Sequence, residues 1–129
     1  MKQFVTIGGW LLILGIAGCV HAPEEKIDVD RLFNFESGRT PYSAAICIAR
    51  NARSRFQNIT AEERLLGDAS WEVIVRAAGR TAGTLAVAQV HNNGIGSMVS
   101  VRLTTLFQGD HANFARQLMA DCQARMIAR

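Results

Sequence analysis

Three stretches of alternating apolar and polar side chains, joined by short turns, constrain the fold of this chain more than any other feature of its sequence. They begin near Trp71, Leu85 and Val99, and their period of two is typical of strands that bury one face. A glycine-bounded turn at 79–83 separates the first two stretches, and Asn-Asn-Gly at 92–94 is a strong hairpin signal before the third. Because short connections join neighbouring strands, the pattern predicts a three-stranded antiparallel meander.

A helix is expected before these strands. Thr40 followed by Pro41 has the pattern of an N-cap and a first helical residue. Apolar side chains then recur every three or four residues, which indicates one buried stripe along the helix. The side chains in this stripe are Tyr42, Ala45, Ile46, Ala49, Ala52 and Phe56. Cys47 lies on the opposite side of the same helix.

A second helix is expected at the end of the chain. It runs from about Asp110, which is a suitable N-cap, to about Ala128. Between the first helix and the strands, Thr60 and Glu63 have the spacing of a capping box. That spacing predicts a single helical turn that ends before Gly67.

These elements together predict a fold of the α+β class. The expected architecture is a two-layer α-β-β-β-α domain over residues 39–129, in which the three-stranded antiparallel meander carries two helices on one face. This arrangement lets the apolar stripe of each helix and the apolar face of the sheet bury one another.

The first residues of the chain have the pattern of an exported protein. A positive charge at Lys2 precedes an apolar run over residues 4–17, which is typical of a secretory signal peptide. The run covers about 14 residues, whereas a membrane-spanning helix needs about 20. We therefore expect a signal peptide over residues 1–18, with an uncleaved signal anchor as the alternative.

The residues at the end of this segment are Ile16, Ala17, Gly18 and Cys19: one aliphatic residue, two small residues and a cysteine. This tetrad resembles the lipobox of bacterial lipoproteins. The resemblance covers only the N-terminal segment, and no family is indicated for the domain that follows. It implies a diacylglyceryl thioether on Cys19, cleavage between Gly18 and Cys19, and acylation of the new amino group by a fatty acid such as palmitate. The alternative is a chance cysteine at the end of an ordinary signal peptide.

The resemblance also implies a location in the cell envelope. Lipid on Cys19 would hold the protein durably on a membrane, because two or more acyl chains bind far more strongly than one. Val20 occupies the position where many lipoproteins retained in the inner membrane carry Asp, so the outer membrane, facing the periplasm, is the expected destination. Residues 19–38 then form the lipidated N-terminus and a polar tether. Leu32, Phe33 and Phe35 within it are expected to dock on the domain as a short strand or turn, with contact to a partner as the alternative.

The assignment of Cys19 to lipid leaves Cys47 and Cys122 as an even pair in an oxidising compartment. A disulfide between them would join the two helices and close a loop of about 75 residues, which stabilises a domain by roughly 4 kcal/mol. The back of the first helix must then be partly covered by the element that carries Cys122. The alternative is two buried free thiols. A redox-active pair is disfavoured because the Cys-x-x-Cys arrangement is absent.

Basic and acidic side chains are nearly balanced in the mature chain. The whole sequence has 14 Lys and Arg and 11 Asp and Glu, and Lys2 is the charged residue before Cys19, which leaves 13 basic against 11 acidic side chains, or +2. The basic residues do not cluster along one segment. The sequence therefore predicts no nucleic-acid binding.

The polar residues form no catalytic constellation in the sequence. The three histidines, His21, His91 and His111, lie far apart and lack the spacing of metal ligands. Neither a nucleophile elbow nor a phosphate-binding loop occurs. We therefore expect no catalytic residues, no metal site and no cofactor, which favours a protein that is not an enzyme.

The sheet face turned away from the helices is the candidate surface for a protein partner. Small polar side chains, charges and one exposed isoleucine permit flat contact, and open sheet edges can accept a further strand. The residues expected on this surface are Glu72, Ile74, Arg76, Arg102 and Thr104. The alternative is an ordinary solvated sheet face.

Two functions from different classes are consistent with these features. The first is a non-enzymatic envelope lipoprotein that binds a protein partner or serves an assembly, as small lipoproteins similar in size and address do in secretion, conjugation and pilus machines. The second is a ligand-binding or inhibitor module for a small molecule, a glycan or a host enzyme. This second function predicts a pocket between helices and sheet that is lined by Tyr42, Trp71 and Phe114.

Overall fold

Strand formation in this chain begins earlier and ends later than the three alternating stretches indicate. The computed structural model describes residues 31–79 and 83–127, so the expected signal peptide, Cys19 and most of the expected tether lie outside the described residues. The described part forms six strands and two helices. In chain order they are β1 (Leu32–Ser37), α1 (Pro41–Arg55), β2 (Ile59–Gly67), β3 (Ser70–Ala77), β4 (Gly83–Asn92), β5 (Ser97–Leu103), α2 (His111–Leu118) and β6 (Ala124–Ile127).

The strands form one antiparallel sheet in the order β2-β3-β4-β5-β1-β6. The α+β class is confirmed. The expected meander is present as β3, β4 and β5, with the Asn-Asn-Gly hairpin between the last two. It is only half of the described sheet, because β2 extends it on one side and β1 and β6 extend it on the other.

The helical turn expected between Thr60 and Gly67 is wrong, since this segment is strand β2. Its side chains alternate, with Ile59 and Ala61 packed against the core and the residues between them exposed. Asp68 and Ala69, both with positive φ, form the tight hairpin that leads into β3. Pairing along the whole length of β3 outweighs the local preference of a capping box, which is worth about 1 kcal/mol.

The expected C-terminal helix begins correctly but ends ten residues early, at Leu118 instead of Ala128. Asp110 is the N-cap, and its carboxylate accepts a hydrogen bond from the backbone N–H of Asn113 at 3.1 Å. Beyond the helix, Asp121 and Gln123 adopt positive φ and reverse the chain. The reversal allows β6 to pair with β1 as an edge strand.

Strand β1 lies inside the sheet, between β5 and β6. Phe33 and Phe35 point into the core, and Phe35 is only 2% exposed. The expected docking of the two phenylalanines is therefore confirmed, and a short strand achieves it. Leu32 differs from the prediction, because it faces away from the core and is half-buried on the other side of the sheet. The expected tether, residues 19–38, contributes its last residues to the sheet.

Helix α1 begins as the sequence predicts, with the Thr40 hydroxyl accepting a hydrogen bond from the backbone N–H of Ser43. Its buried side is made largely of alanines, which belong to the same core cluster as the inward residues of the strands. The buried apolar residues of the helix are Ala44, Ala45, Cys47, Ile48, Ala49 and Ala52. Tyr42 differs from the prediction, because it is 56% exposed at the start of the helix.

One hydrophobic core lies between the two helices and a single face of the sheet. The inward residues of the strands, among them Val73, Val99 and Val101, are fully buried against α1 and α2. Both helices therefore pack on the same sheet face, as expected. Within the described ranges, no helix is long and apolar enough to cross a membrane.

The disulfide between Cys47 and Cys122 is confirmed, with the two Cα atoms 5.9 Å apart. It joins α1 to the turn that follows α2, because the second helix ends before Cys122. As expected, the segment that carries Cys122 covers the back of α1. The Asn51 side-chain amide reaches across and donates hydrogen bonds of 2.8 Å to the carbonyls of Leu118 and Ala120.

Candidate functional site

The outward side chains of the sheet line up in rows that cross the strands, because all neighbouring pairs are antiparallel. One row, in spatial order, is Glu62, Ile74, Val87, Arg102 and Leu32. The next row is Arg64, Glu72, Gln89, Ser100 and Asn34. We call the outward side of the sheet, with these two rows at its centre, the open face, since α1 and α2 pack on the opposite side of the sheet.

A shallow groove of about 270 Å³ runs across the open face. It is lined by Leu32, Glu72, Val87, Gln89, Ser100 and Arg102. Small-molecule sites usually enclose roughly 300–1,000 Å³ and surround their ligand. An open groove below that range is better suited to one or two side chains of a protein partner.

The row that crosses the groove has an apolar centre. Ile74 is only 7% exposed although it faces away from the core, because its neighbours in the row and on adjacent strands cover it. Val87 and Leu32 are half-buried on either side of Arg102. The open face therefore offers aliphatic surface within a polar frame, which is the usual composition of a protein interface.

Charges on the open face are paired across neighbouring strands. The Arg76 guanidinium lies 3.0 Å from the Glu62 carboxylate, and that of Arg64 lies 3.9 Å from the Glu72 carboxylate. Arg102 differs: within the described residues it makes neither a hydrogen bond nor an ion pair through its side chain. Its exposed guanidinium stands at the side of the groove.

Of the five residues predicted for the partner surface, Glu72, Ile74, Arg76 and Arg102 face outward. The expected exposure of the isoleucine is wrong, because Ile74 is only 7% exposed. Thr104 follows the end of β5, where its hydroxyl donates a 2.7 Å hydrogen bond to the carbonyl of Thr84. This side chain closes the end of the β4–β5 pair and contributes little to the groove.

Sequence reasoning missed the groove residues on β1 and β4. Leu32 belongs to a strand that was not assigned as part of the sheet, so its alignment with Arg102 had no visible signal. Val87 and Gln89 share a face of β4 that alternation alone left open, because apolar residues occupy both faces of that strand. The pairing of β4 with its neighbours decides which set faces outward.

The β2 edge of the sheet is partly covered. The carbonyl of Asn58 accepts a hydrogen bond from the N–H of Ala78 and so points toward β3. Successive residues of a strand direct their backbone groups to opposite sides, so Ala61, three residues later, directs its carbonyl toward the free edge. The Arg53 guanidinium donates a 2.9 Å hydrogen bond to that carbonyl and pairs with Glu63 at 3.4 Å. Because a charged side chain from α1 occupies this edge, strand addition there is disfavoured.

The pocket expected between the helices and the sheet is not formed by its three predicted residues. Tyr42 contacts Trp71 at one end of α1, with ring centroids 4.9 Å apart. Phe114 is buried at the other end, where its ring lies 4.8 Å from that of Phe56 and 4.3 Å from that of Phe107. A 15-residue helix separates its ends by about 20 Å, so these aromatic side chains belong to two separate clusters.

The two described histidines lie apart from each other. His91 Nδ1 is 3.1 Å from the Ser70 hydroxyl on the exposed surface. His111 Nε2 accepts a 3.1 Å hydrogen bond from Arg31, and its ring meets the edge of Phe107. Neither histidine pairs with an acidic side chain in the part of the chain that the structure describes, and no cluster of three metal-ligating residues occurs there.

No protein-family model matches the chain, and no curated protein or solved structure is significantly similar to it. The geometry of the chain itself is therefore the basis for an inference about its function.

Proposed function

We propose that this chain is a bacterial envelope lipoprotein that is anchored by lipid on Cys19 and binds a protein partner through the open face. In this proposal the protein is an accessory subunit of an envelope assembly and has a binding role, not a catalytic one. The anchor lies on the outer membrane and the domain faces the periplasm.

The anchor is supported by the lipobox-like tetrad that ends at Cys19. The pairing of the other two cysteines with each other adds support, because disulfides persist in oxidising compartments such as the periplasm. It also leaves Cys19 without a disulfide partner in the chain, as lipid attachment requires. Val20 favours the outer membrane by the same resemblance.

The observation that carries the binding role is the open face itself. One side of the sheet is covered by two helices, whereas the other side presents to solvent a shallow groove in which the half-buried side chains of Leu32 and Val87 flank the exposed guanidinium of Arg102. A partly apolar groove framed by polar side chains has the arrangement of a protein interface, in which an apolar centre is surrounded by a polar rim. Strand addition at a sheet edge is the less favoured binding mode, because the β2 edge is partly covered and the β6 edge is short. The open face is therefore the better candidate for the binding surface.

Metabolic labelling with a radioactive or clickable fatty acid tests the anchor. We expect label on the wild-type protein and none on Cys19→Ala, together with release of that variant from the membrane fraction. Equal labelling of the two proteins would disprove lipid attachment at this residue.

Chemical crosslinking in cells followed by mass spectrometry tests the binding role. We expect a defined envelope protein to crosslink to the full-length chain and to be lost on combined charge reversal at Arg76 and Arg102. Arg50→Glu, on the exposed side of α1, is the matched control and should keep the crosslink. Equal crosslinking in both variants would show that the open face is not the binding surface.

A further inference from the structure

The charges of the open face do not cancel within the described residues. Its three carboxylates, those of Glu36, Glu62 and Glu72, are each matched to an arginine, namely Arg125, Arg76 and Arg64. Arg102 remains as one guanidinium without a carboxylate. A guanidinium has five N–H donors in a planar fork that fits a carboxylate through two parallel hydrogen bonds. Among the described residues the open face thus carries one positive charge in excess, at Arg102, which can accept a carboxylate from another chain.

The surroundings of Arg102 define what else must accompany that negative group. In its row Arg102 lies between Val87 and Leu32, both of which are half-buried and aliphatic. A carboxylate that pairs with Arg102 therefore comes with apolar neighbours on its own chain. Glu72 also lines the groove, but its carboxylate lies 3.9 Å from the Arg64 guanidinium. A further carboxylate on the open face therefore pairs with Arg102 on β5 and not with Arg64.

We infer that the partner binds the open face with a peptide segment in which an Asp or Glu side chain is flanked by aliphatic residues. The carboxylate pairs with the Arg102 guanidinium, and the aliphatic neighbours pack on Leu32 and Val87. The exposed Gln89 amide lines the same groove and can donate to a backbone carbonyl of that segment. This inference rests on the proposed binding role of the open face and adds the chemistry of the partner.

The groove dimensions agree with this type of occupant. A groove of about 270 Å³ on the outward side of the sheet accommodates one or two side chains of a partner. The chain's own acidic residues before β1, Asp28 and Asp30, have the same chemistry. Intramolecular docking of that segment is therefore a competing outcome that the experiment must separate from a partner.

Site-specific photocrosslinking in cells tests the inference. A photoreactive amino acid replaces Gln89 in the full-length chain, and mass spectrometry identifies the crosslinked peptide. We expect a peptide from another envelope protein with an acidic residue between aliphatic ones. Arg102→Glu should lower the crosslink yield at least tenfold, which corresponds to about 1.4 kcal/mol, and Arg102→Lys should lower it less. The Cys47–Cys122 disulfide, followed on non-reducing gels, shows that each variant is folded.

An exchange of charges between Arg102 and the partner is the decisive test of the carboxylate inference. Replacement of the acidic residue in the crosslinked peptide by Arg should restore crosslinking to Arg102→Glu. If the partner crosslinks equally well with Arg102→Glu, the carboxylate inference is wrong although the open face still binds a protein. If Gln89 gives no crosslink while the same probe at Arg50 does, the proposed binding face is wrong as well. A crosslink confined to residues 24–30 of the chain itself would overturn the inference of an external partner.

Discussion

The two faces of the sheet are built from the same strands and yet have different physical roles. On β5, the inward residues Val99, Val101 and Leu103 are almost completely buried, whereas the outward residues Ser100 and Arg102 lie at the solvent-facing groove. Successive side chains of a strand point to opposite sides, so a single residue step changes the environment from core to solvent. The difference separates what holds the domain together from what is available for recognition.

The inner face is closed by two helices and a disulfide, and its side chains need no further partner. The open face is satisfied by pairs of charges between strands, except at Arg102. Mutations on the inner face should therefore act on the free energy of unfolding. Mutations on the open face should leave folding nearly intact and act on binding.

The largest expected effect on the inner side comes from removal of the disulfide. Replacement of both Cys47 and Cys122 by Ala should lower the free energy of unfolding by about 4 kcal/mol, because the closed loop restricts the unfolded chain. Urea denaturation followed by the fluorescence of Trp71, the tryptophan within the described residues, measures the change. Cys19→Ala is the control and should unfold at the wild-type urea concentration. A shift below 1 kcal/mol in the double variant would contradict a stabilising role for the disulfide.

A matched pair of leucines compares the faces directly. Leu103 on β5 faces inward and is 1% exposed, whereas Leu32 on the adjacent strand β1 faces outward and is half-buried. Leu103→Ala should destabilise the domain by about 3 kcal/mol, as expected for a truncated core leucine. Leu32→Ala should cost less than about 1 kcal/mol, since it leaves no enclosed cavity. Thermal or urea unfolding of the two variants measures the difference, and equal losses would refute the distinction between the faces.

Local sequence patterns predicted the parts of this fold that local interactions determine. The hairpin at 92–94, the N-caps Thr40 and Asp110, and the three alternating strands depend on residues close in sequence. The disulfide was predictable by counting, since assignment of Cys19 to lipid left two cysteines. The alternation of side chains in β3 and β5 correctly predicted that most residues of the candidate partner surface face away from the helices.

The missed strands depend on contacts between residues far apart in sequence. In β1 the outward Leu32 precedes the inward Phe33, so two adjacent apolar residues hide the alternation. The segment that forms β6 continues the apolar spacing of α2, so the sequence alone indicates helix there. It is a strand because it pairs with β1, which lies about ninety residues earlier in the chain. The groove could not be predicted for the same reason, because Leu32 meets Arg102 only when β1 pairs with β5.

A buried amide gives a smaller effect on the inner side. Asn51→Ala removes the donor to the carbonyls of Leu118 and Ala120 and should cost about 2 kcal/mol, because buried acceptors lose their partners. Asn34 is the matched residue on the open face, where it accepts a 2.8 Å hydrogen bond from the Ser100 hydroxyl. Asn34→Ala should cost about 0.5–1 kcal/mol, since water replaces the lost partner. Denaturation curves that reverse this order would show that the open face, too, contributes to folding.

The smallest expected effect concerns the charges of the open face. A double-mutant cycle on Glu62 and Arg76, each changed to Gln, should give a coupling energy of about 0.2–1 kcal/mol, the usual value for an exposed ion pair. Arg102→Gln has no such pair to lose, so its free energy of unfolding should stay within about 0.5 kcal/mol of wild type. Urea denaturation at low and high salt measures both, and salt should weaken the coupling of the pair without affecting Arg102→Gln.

This last comparison distinguishes a structural arginine from one available to a partner. If Arg102→Gln were to destabilise the domain by more than the Glu62–Arg76 coupling, Arg102 would have an intramolecular role and its charge would not be free for binding. If stability is unchanged while crosslinking through the open face is lost, the same guanidinium is dispensable for folding and required for recognition. Only that combination supports separate roles for the two faces, one in folding and one in binding. A residue needed for both would change both the free energy of unfolding and the crosslink yield.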